Sequence, residues 1–140
     1  MISPTGNGIR SHDEHGFGAY GKPRAGSDNH GVKKIHEGTD FIAIPGQDIV
    51  APTRGFVMRL KYPYGSPVKG VMFSGIFVRS TDFEWTLFYF DPLRAIINTE
   101  IVRGQLIGKA QDISIKYSGI TPHVHFQIDS INPELFIRMP

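Results

Sequence analysis

Hydrophobic and polar residues alternate over short stretches of this chain and nowhere settle into a sustained helical stripe. From Gly55 to Tyr62, Phe56, Met58, Leu60 and Tyr62 interleave with Val57, Arg59 and Lys61, the period-2 pattern of a strand with one covered face. Asp40 to Ile44 is short and apolar and stops at Pro45-Gly46, a turn dipeptide. Lys69 to Ser80 and Phe83 to Phe90 read as two more strands, with Ser80-Thr81-Asp82 as their hairpin connection. Beyond Pro92 the segment to Arg103 carries β-branched residues without a helical stripe. Gly104 to Lys109 is expected to be a further strand, Asp112 to Tyr117 a short helix, and Val124 to Ile128 the last strand. Residues 1–35 are rich in Gly, Ser, Asp, Asn, Pro and Lys, and Gly16, Gly18, Gly21 and Gly26 interrupt every candidate element. They are expected to be mostly irregular and packed on the β core. The predicted fold is therefore mainly all-β, one antiparallel domain over residues 1–140 with long N-terminal loops.

Composition narrows this further. Sixteen Gly and ten Pro in 140 residues exclude a helical bundle, and 40% hydrophobic with 20% charged residues excludes disorder. The net charge is only +2, and no basic cluster exceeds Lys33-Lys34, so nucleic acid is not an expected partner. No apolar run approaches the roughly 20 residues that a spanning helix needs. The first residues, Met-Ile-Ser-Pro-Thr-Gly-Asn-Gly, show neither a basic nor an apolar signal region. Cysteine is absent, so a metal would have to be held by His and carboxylates.

Two motifs carry candidate chemistry. In His123-Val124-His125, residues two apart in a strand share a face, so both imidazoles project together while Val124, Phe126 and Ile128 face the core. Their side chains start about 6.6 Å apart, close enough for one to bind a metal and the other to act beside it. Two solvated His on an exposed sheet face would give the same pattern. The second motif is His36-Glu37-Gly38-Thr39-Asp40, whose imidazole and carboxylate suit Zn²⁺ and, with one more His, leave a fourth position open. A surface His36 and a turn-capping Asp40 would also fit it. Gly38 and the Asp at position 40 exclude the helical His-Glu-x-x-His pattern.

Together these motifs resemble the lysostaphin/LytM-type zinc metallopeptidases, whose pattern is His-x-x-x-Asp early and His-x-His late in a small antiparallel β domain. Gly16 to Arg24, Asp40 to Gly46, Val50-Ala51-Pro52, Gly104 to Gly108 and Tyr117 to Pro122 are also similar to segments of that family. Arg10 and Asp13-Glu14-His15-Gly16 resemble the branch that includes the leukocyte-derived chemotaxins. The resemblance implies that His36, Asp40 and His125 bind Zn²⁺ and that His123 is the general base or transition-state stabiliser. The activity implied is hydrolysis of peptide bonds in bacterial peptidoglycan.

The chain departs from the enzymatic pattern at one position. Most family members with activity carry a further His in a strand reading roughly Thr-x-Tyr-x-His-Leu, where Trp85 to Asp91 places Phe90. Phe90 cannot donate a hydrogen bond to a developing oxyanion. His15, His30, Tyr89 and Tyr117 are the candidates to replace it. The chemotaxin branch, regarded as binding proteins, also has an apolar residue there. A zinc endopeptidase acting on peptidoglycan peptide is the first reading, and a zinc-containing peptidoglycan- or peptide-binding module without activity is the alternative. A structural part of a phage tail or secretion machine is a third. With no signal region visible, delivery by a phage virion, alongside other virion proteins, is expected, or else a place in the cell envelope or outside the cell.

Overall fold

The computed structural model describes residues 1–11, 23–27, 33–35 and 38–131, the two short middle segments by their backbone alone. Its strands are β1 (Pro23–Ser27), β2 (Lys33–Ile35), β3 (Thr39–Ile42), β4 (Asp48–Val50), β5 (Gly55–Lys61), β6 (Gly75–Arg79), β7 (Phe83–Phe88), β8 (Phe90–Pro92), β9 (Glu100–Ile101), β10 (Leu106–Ala110) and β11 (His123–Ile131). The described helical structure is two single 3-10 turns, Arg94–Ile96 and Ile113–Ile115, the second inside the stretch expected to be a short helix. Asp112 caps that turn by accepting from the Ser114 amide, and the turn ends after three residues.

Among the described residues three antiparallel sheets result, with strand orders β1-β2, β4-β10-β8 and β3-β11-β7-β6-β5-β9. The mainly antiparallel β architecture expected from the periodicity is what forms. The β1-β2 pair was not anticipated, because Pro-Arg-Ala-Gly-Ser and Lys-Lys-Ile offer no apolar alternation to read.

The core lies between the six-stranded and three-stranded sheets. Val57, Ile76, Val78, Trp85, Leu87, Val124 and Phe126 on one side meet Ile49, Phe90, Ile107 and Ala110 on the other. Trp85 is fully buried, yet its indole N–H is satisfied by Ser80 Oγ at 2.9 Å, and that hydroxyl in turn donates to the Arg54 carbonyl. A second cluster of Phe73, Ile113 and Ile120 collects Tyr64, Tyr89 and Tyr117 beside it.

Two faces differ from the simple alternation. In β5 the register shifts between Val57 and Arg59, so Val57 and Leu60 both reach the core while Arg59 and Lys61 lie on the opposite face. A bulge inserts one residue and inverts the pattern downstream, which the Phe56, Met58, Leu60, Tyr62 series did not reveal. In β11 Val124 and Phe126 are buried as expected, but Ile128 is 47% exposed, where the pairing with β7 shifts after residue 128.

Replacing Trp85 by Ala should cost about 3–5 kcal/mol through the cavity and the lost transfer energy. The exposed Val102→Ala should stay within about 0.5 kcal/mol of wild type. Urea unfolding midpoints of the two variants check this ordering.

Candidate functional site

The site is assembled where β3 and β11 pair. In that ladder Asp40 lies directly opposite His125, and His123 opposite Ile42. Period-2 geometry then carries His123 and His125 to the face that Asp40 also occupies. The Asp40 carboxylate is buried and met from three sides. Oδ1 lies 3.0 Å from His125 Nδ1, and Oδ2 lies 3.3 Å from His123 Nε2 and 3.1 Å from Arg10 Nε. Arg10 is buried too, and its amide donates to the Asp40 carbonyl at 2.7 Å.

The far nitrogen of each ring is already committed. His123 Nδ1 lies 2.8 Å from the Thr121 carbonyl, which only accepts, so this nitrogen carries the proton. His125 Nε2 lies 2.9 Å from Gln127 Oε1. In the neutral His123 ring the lone pair is therefore on Nε2, the nitrogen that faces Asp40. Burial pushes His123 below the ordinary histidine value, and the adjacent Arg10 and His125 act in the same direction, while the Asp40 charge and the Thr121 carbonyl oppose it. Two imidazoles and a carboxylate, ligand types that suit zinc, thus meet at one point of the sheet. Among the described residues, no group of three or more His, Cys, Asp or Glu could hold a metal ion.

Aromatic rings wall the site. Phe88, opposite His125 in the ladder, stacks on it at 6.4 Å between centroids. Tyr89 lies edge-on to His123 at 5.6 Å and 6.4 Å from His125, with its hydroxyl 3.0 Å from that of Tyr64. Burial, followed by the neighbouring Tyr89, keeps Tyr64 in its neutral form far above the usual phenol range. Tyr89 has φ +76°, a left-handed conformation that bulky residues rarely adopt. It persists because its backbone is held on both sides: its amide donates to the Ser74 carbonyl, and its carbonyl accepts from the Gln111 amide.

No family model matches the chain. Leukocyte cell-derived chemotaxin-2 of Bos taurus is 27% identical over 134 residues, covering 95% of this chain and 82% of that protein. Myeloid protein 1 of Gallus gallus is 29% identical over 130 residues, and the match spans only 36% of its length. The catalytic domain of the antimicrobial peptidase lysostaphin from Staphylococcus simulans superposes with a TM-score of 0.55 at 21% identity, covering 86% of this chain and 90% of that one. A zinc-containing peptidase from Vibrio cholerae gives 0.58 at 20% identity, with 90% of this chain matching 35% of that one. A mutant of the catalytic domain of the prophage-encoded M23 protein EnpA from Enterococcus faecalis gives 0.55 at 20% identity over 95% of each chain. By fold the chain is of the lysostaphin/LytM type, and by sequence it is related to the chemotaxins.

Of the residues singled out on this lysostaphin/LytM pattern, Asp40, His123 and His125 come together as described. His36, expected as the third ligand, lies outside the described residues, as do His15 and His30. Phe90 does not stand at the site. It is fully buried against the core, close enough to Gly108 that an added Cβ there would meet its ring at 2.8 Å. Unbroken alternation would put residues 88 and 90 on one face, but the left-handed Tyr89 interrupts it and turns position 90 inward. Arg10 has no local signal of this role, since its partner is 30 residues away.

Gly38 is fixed by the same packing. A Cβ there would meet the Phe126 carbonyl at 2.3 Å and the His125 ring at 2.7 Å. Gly38→Ala should therefore destabilise by about 1–3 kcal/mol, as overpacking does. Gly8→Ala, which meets nothing within 4 Å, should be close to neutral. Denaturant unfolding of both variants tests this.

Proposed function

We propose that the chain is a zinc-dependent metalloendopeptidase that hydrolyses peptide bonds of bacterial peptidoglycan, with His36, Asp40 and His125 as metal ligands and His123 as general base. The observation that carries this reading is the pair of imidazoles that meet one buried carboxylate. The fold-level likeness to a zinc-containing peptidase and to an antimicrobial peptidase supports it.

Zinc bound there would act as a Lewis acid, polarising the scissile carbonyl and lowering the pKa of water. The chain's own groups do the rest. Arg10 holds Asp40 Oδ2 and leaves Oδ1 directed at His125. His123 is kept neutral by burial and oriented through Nδ1–H, so its Nε2 is free of a proton and accepts one from the attacking water. With Phe90 turned into the core, Tyr89 serves instead: its phenol, paired with Tyr64 in the aromatic wall, donates to the carbonyl oxygen as charge develops. The substrate sets the location, so the protein acts at the cell envelope or outside the cell, reached by export or from a phage virion.

The chemotaxin relationship favours a second reading, a zinc-containing module that binds peptidoglycan or peptide without cutting it. Zymography on purified peptidoglycan, with and without chelator, followed by mass spectrometry of released fragments, separates the two. His125→Ala should lose most of its zinc after dialysis, whereas His123→Ala should keep its zinc and lose about 10²–10⁴-fold in turnover. Tyr89→Phe should also keep its zinc and lose about 10²–10³-fold. Folded, zinc-loaded wild type that pulls down peptidoglycan but releases no fragment would establish the binding module instead.

A further inference from the structure

His125 is held from the side away from Asp40 by a line of polar groups that crosses the sheet. β11 places His125, Gln127 and Asp129 at alternate positions, and β7 sets Thr86 opposite Gln127. Gln127 Nε2 donates to Asp129 Oδ1 at 2.7 Å, and Thr86 Oγ1 donates to Asp129 Oδ2 at 2.6 Å. Lys61, reaching from β5, donates to Thr86 Oγ1 at 3.1 Å. Every link has a defined polarity. An ammonium only donates and a carboxylate only accepts, so Lys61 obliges Thr86 to spend its proton on Asp129, and Asp129 obliges Gln127 to turn its NH₂ outward. The Gln127 oxygen is left facing His125 as an acceptor, which in the neutral ring favours the proton on Nε2.

That outcome is not the one Asp40 would select. A carboxylate oxygen 3.0 Å from Nδ1 favours a proton on Nδ1, where it would form a charge-assisted hydrogen bond. We propose that Lys61, Thr86, Asp129 and Gln127 form a polarised hydrogen-bond chain that sets the tautomer of His125, with Asp129 as the positioning residue on which it turns. In that tautomer the proton is off Nδ1, the nitrogen beside Asp40. The use of the Nδ1 lone pair for metal binding rests on the reading of His125 as a ligand, whereas the tautomer does not. The arrangement matches the general behaviour of metal-binding histidines, whose second nitrogen is tied to an outer partner that fixes ring and proton.

Near-isosteric variants of the full chain test this without disturbing the fold. Long-range ¹H–¹⁵N spectra of metal-free protein at about pH 9, where a histidine is ordinarily neutral, report which nitrogen of His125 carries the proton. Competition with a chromophoric chelator reports zinc affinity. Wild type should show the Nε2–H tautomer. Asp129→Asn offers Gln127 no fixed acceptor, and should shift the ring towards Nδ1–H and weaken zinc by about 10–100-fold. Adding Gln127→Glu to Asp129→Asn restores the original polarity, because the Asn amide then donates to a carboxylate that accepts from His125. The double variant should recover both tautomer and affinity. An Nδ1–H tautomer in wild type, or an unchanged tautomer and affinity in Asp129→Asn, overturns the proposal. Normal zinc binding with an unresponsive tautomer defeats the chain and spares the metal reading. A tautomer that responds in a protein that binds no zinc supports the chain and defeats the metal reading.

Discussion

A buried carboxylate has to be answered on every side, and the Asp40 side chain organises the molecule around that demand. Stripped of water, its charge persists only with paired, hydrogen-bonded neighbours. Arg10 supplies the cation from the N-terminal segment, and the last strand brings His123 and His125 to within 3.3 and 3.0 Å of the carboxylate. One side chain on β3 thus ties together parts of the chain 30 and 85 residues away. Removing a partner from such a buried pair costs about 3–5 kcal/mol, because the remaining charge is stranded. The backbone follows the same logic. The bridge between Ile9 and Phe41 and the Arg10 amide on the Asp40 carbonyl bring the N-terminal segment onto the edge of the sheet.

β7 serves the core and the site at once, and the way it ends governs what chemistry is available. Trp85 and Leu87 pack inward, while Thr86 and Phe88 belong to the face that carries His125 and Gln127. At Tyr89 the backbone leaves the extended region, so consecutive residues 88 and 89 both contact the site histidines and residue 90 joins the core. A left-handed tyrosine costs of the order of 1–3 kcal/mol. Its retention beside His123 gives the enzymatic reading a phenol where an imidazole would otherwise be sought. It also shows why an apolar residue at position 90 says less about activity than the motif suggests: that side chain answers to core packing.

Much of the fold was legible because strand alternation, turn dipeptides and hairpin connections are local properties. The His123/His125 pair could be placed on one face from spacing alone, and Val124 and Phe126 in the core, since a strand repeats every two residues. The resemblance added Asp40 as their partner and the expected His36, whose position lies outside the described residues. The bulge at Val57 to Arg59, the exposure of Ile128 and the reversal at Tyr89 were not legible, because each depends on how a neighbouring strand constrains the backbone.

The sequence by itself determined which residue types were present and which short stretches would extend, and with these the antiparallel β class and the candidate imidazoles and carboxylate. Only the tertiary structure decided what those groups meet. Arg10 on Asp40, Tyr89 against His123, and the line from Lys61 through Thr86 and Asp129 to Gln127 all join residues on different strands or segments. The physical reason is that a side chain's protonation, tautomer and charge respond to atoms within a few ångströms of it in space. Chain spacing governs direction along one strand and carries no information about which other strand lies alongside.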